Sequence, residues 1–87
     1  MIATLSGVVN QVGADFCLLD VGGVGFQIFM PLTALEELSA VESRITIHVY
    51  LHHREDAMTL YGFSKPEEKR LFTQIIGVSG IGPKTAL

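Results

Sequence analysis

The sequence predicts a mainly β fold: five short strands, a helix between the third and fourth, then the start of a helical region. Three observations carry this reading. Stretches such as "RITIHVYLHH" alternate apolar and polar residues with the period of two that a pleated strand requires. Glycine clusters and an acidic turn punctuate the chain at the short intervals that hairpins need. From Ser64 onward the apolar spacing changes to that of a helix.

The elements follow in order. "TLSGVVNQV" is rich in β-branched residues and holds Gly7, suited to a bend or bulge. "DFCLLDV" and "GFQIFMP" are apolar runs on either side of "GGVG". That cluster reads as a hairpin turn rather than a phosphate loop, because no Walker lysine is present and a strand follows it. "PLTALEELSA" is a short helix, with Thr33 and Glu36 as a capping box and Leu32, Leu35 and Leu38 at helical spacing. In "RITIHVYLHH", Ile45, Ile47, Val49 and Leu51 face one way, and Thr46, His48, Tyr50 and His52 the other. "REDA" turns the chain and "MTLYGF" returns it. This order matches a five-stranded Greek-key OB barrel, a common binding scaffold that names no function by itself.

Composition narrows the classes. Eighty-seven residues suit one domain, with room for the beginning of a second. The single cysteine, Cys17, lies in an apolar run and reads as a buried, reduced thiol, which fits a cytoplasmic setting. "MIATLSGVV" has neither a basic leader nor a cleavage site, and no apolar run is long enough to span a membrane. A net charge of −3 argues against nucleic-acid binding over the whole surface, yet Lys65, Lys69, Arg70 and Lys84 gather in the C-terminal quarter. The hydrophobic fraction of 48% is high for a small soluble domain. Part of that surface is expected to face another subunit or a part of the protein outside this chain.

In "SKPEEKRLFTQIIG", Ser64 and Glu67 form a second capping box and Pro66 suits the first turn. Leu71, Phe72, Ile75 and Ile76 make one apolar stripe, and Gly77 ends the helix. "VSGIGPKTAL" then has the pattern of a helix-hairpin-helix turn. Gly80 and Gly82 permit positive φ and close approach of a phosphate, which the N–H groups of the next helix start would hold. Lys84 adds a cation, and Ile81 would plug the two helices together. Such contacts read no bases. The competing reading is a plain glycine link between packed helices.

"HHREDAM" places Glu55 and Asp56 at a hairpin tip, where acidic residues are ordinary solvated turn formers. A metal site competes, but His48 and His52 would stand about 13 Å apart on one face, and His53 points to the other. No serine or cysteine nucleophile has a base at informative spacing. No metal or cofactor is therefore expected.

The chain resembles the N-terminal part of the RuvA family of bacterial Holliday-junction-binding subunits. "VGGVGFQIFMP", "REDAMTLYGF", "EEKRLF" and "GVSGIGPKTAL" carry the resemblance, through their order and spacing across essentially the whole chain. It implies a noncatalytic subunit that forms a homotetramer, holds a four-way junction open and supports branch migration by the ATPase RuvB in recombination and repair. It implies a barrel over residues 1–63 that serves assembly and carries an acidic pin, Glu55 and Asp56. Residues 64–87 would begin a helix-hairpin-helix domain contacting DNA through Gly80, Gly82 and Lys84, with Arg54 as a further contact beside the pin. The chain is then expected to be a fragment, with the RuvB-binding C-terminal domain outside it. His52 and His53 depart from the apolar residues expected before the pin. The alternative is an OB module that binds single strands by stacking on Phe16, Phe26, Phe29, Tyr50, Tyr61 and Phe63. A hydrolase built on the His, Glu and Asp cluster is disfavoured by the geometry above.

Overall fold

The computed structural model describes residues 1–38, 44–76 and 87. Strand β1 (Thr4–Val12) pairs antiparallel with two neighbours in succession. Its first half, Thr4–Val8, lies along β4 (Arg44–His53), and its second half, from Val8 to Val12, along β2 (Phe16–Val21). A register shift between Val9 and Gln11 bends the strand between these partners. Gly7 sits where the change is made, and a Cβ there would run into the Asp20 carbonyl oxygen. The bend expected at Gly7 is therefore also a close approach of backbones.

Strand β2 returns through a two-residue turn to β3 (Val24–Phe29), with Val21 opposite Val24. Gly22 and Gly23 hold φ of 60° and 94°, the left-handed values that such a turn demands and other residues resist. The Asp20 carboxylate accepts a hydrogen bond from the Gly23 N–H at 2.8 Å and fastens the turn. Strand β5 (Met58–Phe63) pairs antiparallel with β4. It also pairs parallel with β3, Ile28 opposite Leu60 and Phe29 opposite Tyr61. That short parallel contact closes the barrel in the order β1-β2-β3-β5-β4, the expected OB arrangement.

Alternation sorts the side chains. Cys17, Leu19, Ile28, Ile47 and Val49 are fully buried inside the barrel. Helix α1 (Leu32–Leu38), between β3 and β4, adds Ala34 and Leu35 to the same core. Two expectations for this helix are corrected. It begins at Leu32, so Thr33 lies inside the first turn and caps nothing; the Leu35 N–H instead bonds the Pro31 carbonyl at 3.1 Å. Leu32 is 63% exposed, because a helix of seven residues turns only one narrow face inward. The Cys17 thiol lies 3.7 Å from the Met30 sulfur and is free, as expected.

Gly62 of β5 is buried inside the barrel, and a Cβ there would meet the Ile28 and Ile47 methyl groups at 2.5 and 2.8 Å. Gly62→Ala should therefore lower stability by about 1–3 kcal/mol through overpacking, read as a lower urea midpoint with an unchanged slope. The barrel also sets an alkaline limit. Burial raises the Cys17 thiol from its ordinary 9.0 to about 11, and raises the Tyr61 hydroxyl as well. Below pH 9 the thiol keeps its proton folded or unfolded. Between pH 9 and 11 only the unfolded chain releases it, so stability should fall with rising pH, by up to about 1.4 kcal/mol per unit. Urea titrations of the wild type and Cys17→Ala across this window should converge as pH rises.

Candidate functional site

The β4–β5 hairpin projects beyond its last paired residues, His53 and Met58. Arg54 and Ala57 bond each other through their backbones, with N···O of 2.8 and 3.4 Å, which leaves Glu55 and Asp56 as the two tip residues. Neither has positive φ, so the tip is not one of the mirror-image turns that glycine forms between β2 and β3. All four residues from Arg54 to Ala57 are exposed. Among the described residues, neither carboxylate has an ion pair or hydrogen bond. Two uncompensated negative charges therefore stand in solvent at the end of a β arm.

The arm is braced on its outer face. Phe16 lies opposite Phe29, Phe29 opposite Tyr61, and Tyr61 opposite Tyr50, so one aromatic row crosses four strands. Helix α2 (Pro66–Ile76) docks on this row through Phe72, its one buried residue among those described. The Phe72 ring lies 4.9 Å from Phe63, 5.4 Å from Tyr61 and 5.6 Å from Tyr50, centroid to centroid. Burying such a ring contributes about 2–3 kcal/mol, and each ring pair up to about 1 kcal/mol more. His52 continues the row outward, 6.3 Å from Tyr50 and 6.4 Å from Tyr61. The Arg54 charge reaches the same side, where it partly offsets the upward push of burial on the Tyr61 hydroxyl.

These contacts decide several expectations. Tyr61 and Phe63 are buried and Tyr50 is half-buried under α2, so three of the six aromatic residues considered for base stacking are committed to packing. Phe26 packs against the barrel core. The histidines are not brought together: His48 is paired with Phe63, His52 rests on tyrosine rings and His53 is exposed. Among the described residues, no three His, Cys, Asp or Glu side chains converge as a metal site would need.

The start of α2 differs from expectation. Because Pro66 is the first helical residue, Ser64 lies one residue too early to cap it, and no capping box with Glu67 forms. The Ser64 hydroxyl instead donates to the Glu68 carboxylate at 3.3 Å. Leu71 is 59% exposed and leaves the expected apolar stripe, which Phe72 dominates. Gly77, Gly80, Ile81, Gly82 and Lys84, on which the phosphate-binding reading rests, lie outside the described residues. Sequence reasoning missed the seat of Phe72. Its signal is the spacing of Tyr61 and Phe63, which puts both on one face of the returning strand, opposite Leu60 and Gly62.

The model of the RuvA N-terminal domain family matches residues 1–62. The chain is also similar, over all 87 residues, to proteins named Holliday junction branch migration complex subunit RuvA. Identity is 49% with that of Chloroflexus aggregans, 45% with Chloroflexus aurantiacus and 42% with Dehalococcoides mccartyi. The chain spans 45% of the length of each.

The tip and its brace should separate cleanly in stability measurements. Glu55→Gln with Asp56→Asn should shift the unfolding free energy by no more than about 0.5 kcal/mol, since solvated turn side chains hold nothing together. Phe72→Ala should cost about 3 kcal/mol through the cavity it opens. Urea denaturation followed by tyrosine fluorescence distinguishes the two.

Proposed function

The chain belongs to the RuvA N-terminal domain family, and from that premise we propose that it is the junction-binding part of a noncatalytic subunit that recognises four-way DNA. The observation that carries the reading is the pair of exposed carboxylates, Glu55 and Asp56, with no ion pair among the described residues, at the end of a braced hairpin. Carboxylates in that position repel phosphate. At the centre of an open four-way junction they disfavour strands crossing the middle and favour strands leaving along the arms. Repulsion of this kind discriminates among partners without adding affinity.

Attraction comes from elsewhere. Residues 1–63 form the barrel that carries the pin and assembles the homotetramer, and residues 64–87 begin the helix-hairpin-helix domain. There Gly80 and Gly82 offer backbone N–H groups to phosphate and Lys84 a cation, while Arg54 adds a positive charge beside the pin. Binding is independent of base sequence and weakens with salt. An apolar fraction of 48% in so short a chain supports assembly through the barrel. The relatives' name, a branch migration complex subunit, supports a partner motor, RuvB, which holds the ATPase activity and engages a part of the protein beyond this chain. Recombination and repair in the cytoplasm are the setting this reading implies.

In the full-length protein, Glu55→Gln with Asp56→Asn should tighten binding to duplex and four-way DNA alike and narrow the preference for the junction. The effect should shrink as salt is raised, since solvated charges are screened within about 10 Å at 0.1 M. Gel-shift titrations at low and high salt test this. A neutralised variant that keeps the wild-type ratio of junction to duplex affinity at low salt refutes the pin.

A further inference from the structure

The pin reading leaves unexplained why the hairpin should be tied to α2 at all. Tyr50 and Tyr61 mark the level at which α2 crosses, and from Tyr50 the strand runs about 16 Å further to Glu55 at ordinary strand rise. A two-stranded hairpin projecting that far is marginal in isolation and would sway. Here the rings of Phe72, Tyr61 and His52 follow one another from the helix outward. His52, the departure from an apolar residue, fits as an aromatic link that tolerates solvent on its polar edge.

The same contact fixes the helix. Phe72 is 2% exposed, whereas Leu71 and most other α2 side chains are exposed or half-exposed. One ring therefore sets how α2 sits on the hairpin. Helix α2 carries Lys69 and Arg70 beside Glu67 and Glu68 of its first turn, with Lys65 just before it, and the hairpin carries the exposed carboxylates Glu55 and Asp56. Lys69 and Arg70 on one side and the tip carboxylates on the other are thus mounted on two elements joined chiefly by one aromatic plug.

We propose that Phe72 is a positioning residue for junction recognition: its seat among Tyr50, Tyr61 and Phe63 holds α2, with Lys69 and Arg70, in register with the acidic tip. The proposal rests on the functional reading above and assigns that reading a residue that itself touches no DNA. A duplex can be met by the helix cations alone. A four-way junction must meet both elements at once, so its binding depends on their mutual position.

The test compares full-length wild type, Phe72→Ala, Phe72→Leu and a control, Leu35→Ala, which damages the barrel core, a cluster separate from that of Phe72. Each is titrated with four-way and duplex DNA of the same arm sequence. Phe72→Ala should lower the ratio of junction to duplex affinity about tenfold, with duplex affinity held within about twofold, and Phe72→Leu should fall between it and wild type. Leu35→Ala should leave the ratio unchanged. In the Glu55→Gln, Asp56→Asn background, Phe72→Ala should have little further effect on the ratio, because there is no tip charge left to place. Phe72→Leu keeps a buried apolar side chain and decides the matter if the alanine variant does not fold. Phe72 variants that keep the wild-type ratio, or a Leu35→Ala variant that loses it equally, overturn the proposal alone. A wild-type protein with no preference for four-way DNA overturns the functional reading and this proposal with it.

Discussion

Between Leu60 and Phe63, strand β5 has no face left for water. Leu60 and Gly62 point into the barrel, and Tyr61 and Phe63 point out against Phe72. The rest of the structure depends on this double burial. The inner side needs Gly62, because Ile28 and Ile47 occupy the space a side chain would take. The outer side needs a hydrophobic cover, which α2 provides. The same strand makes the parallel contact that closes the barrel and forms half of the arm that ends in Glu55 and Asp56. Closure, arm and helix are therefore set by six residues. A change on either side of β5 is felt by all three.

On the proposed reading, that arrangement lets a small acidic chain present two opposed signals to a polyanion. Like charges close together on a flexible loop would relax away from an approaching phosphate, or find a lysine partner. At a short tip with no ion pair among the described residues, the carboxylates have nowhere to retreat. Their repulsion is set by the stiffness of the hairpin more than by their number.

The architecture was largely legible in the amino-acid order because the signals for it are local. Alternation in Arg44–His53 shows which residues enter the core, and the paired glycines at 22 and 23 announce their turn. What escaped is what local spacing does not encode. Thr33 and Ser64 both have an acidic partner three residues on, yet each helix starts where Pro31 and Pro66 allow, one or two residues away from the caps so inferred. Leu71 belongs to the helical stripe by spacing and is left in solvent because a single ring docks the helix. Tyr50 lies on the polar face of its strand by alternation and is half-buried because a helix distant in sequence covers it. The tip was legible as an acidic turn. That it has no ion pair among the described residues became visible only once the neighbouring side chains were placed.

Strand β1 has a consequence for how the chain assembles. Its second half meets β2 within a few residues, and β2 meets β3 through a two-residue turn, so this meander can form as soon as the first thirty or so residues exist. Its first half has no partner until Arg44–His48 arrive, and Thr4 lies opposite His48. Closing that long loop carries an entropic cost that only the finished core offsets. During synthesis, Thr4–Val8 is thus an unpaired sheet edge for as long as β4 is still within the ribosome. By this topology closure is expected to be the late event in folding, as for β topologies dominated by distant pairs. Until it occurs, that edge is open to pairing with another nascent chain.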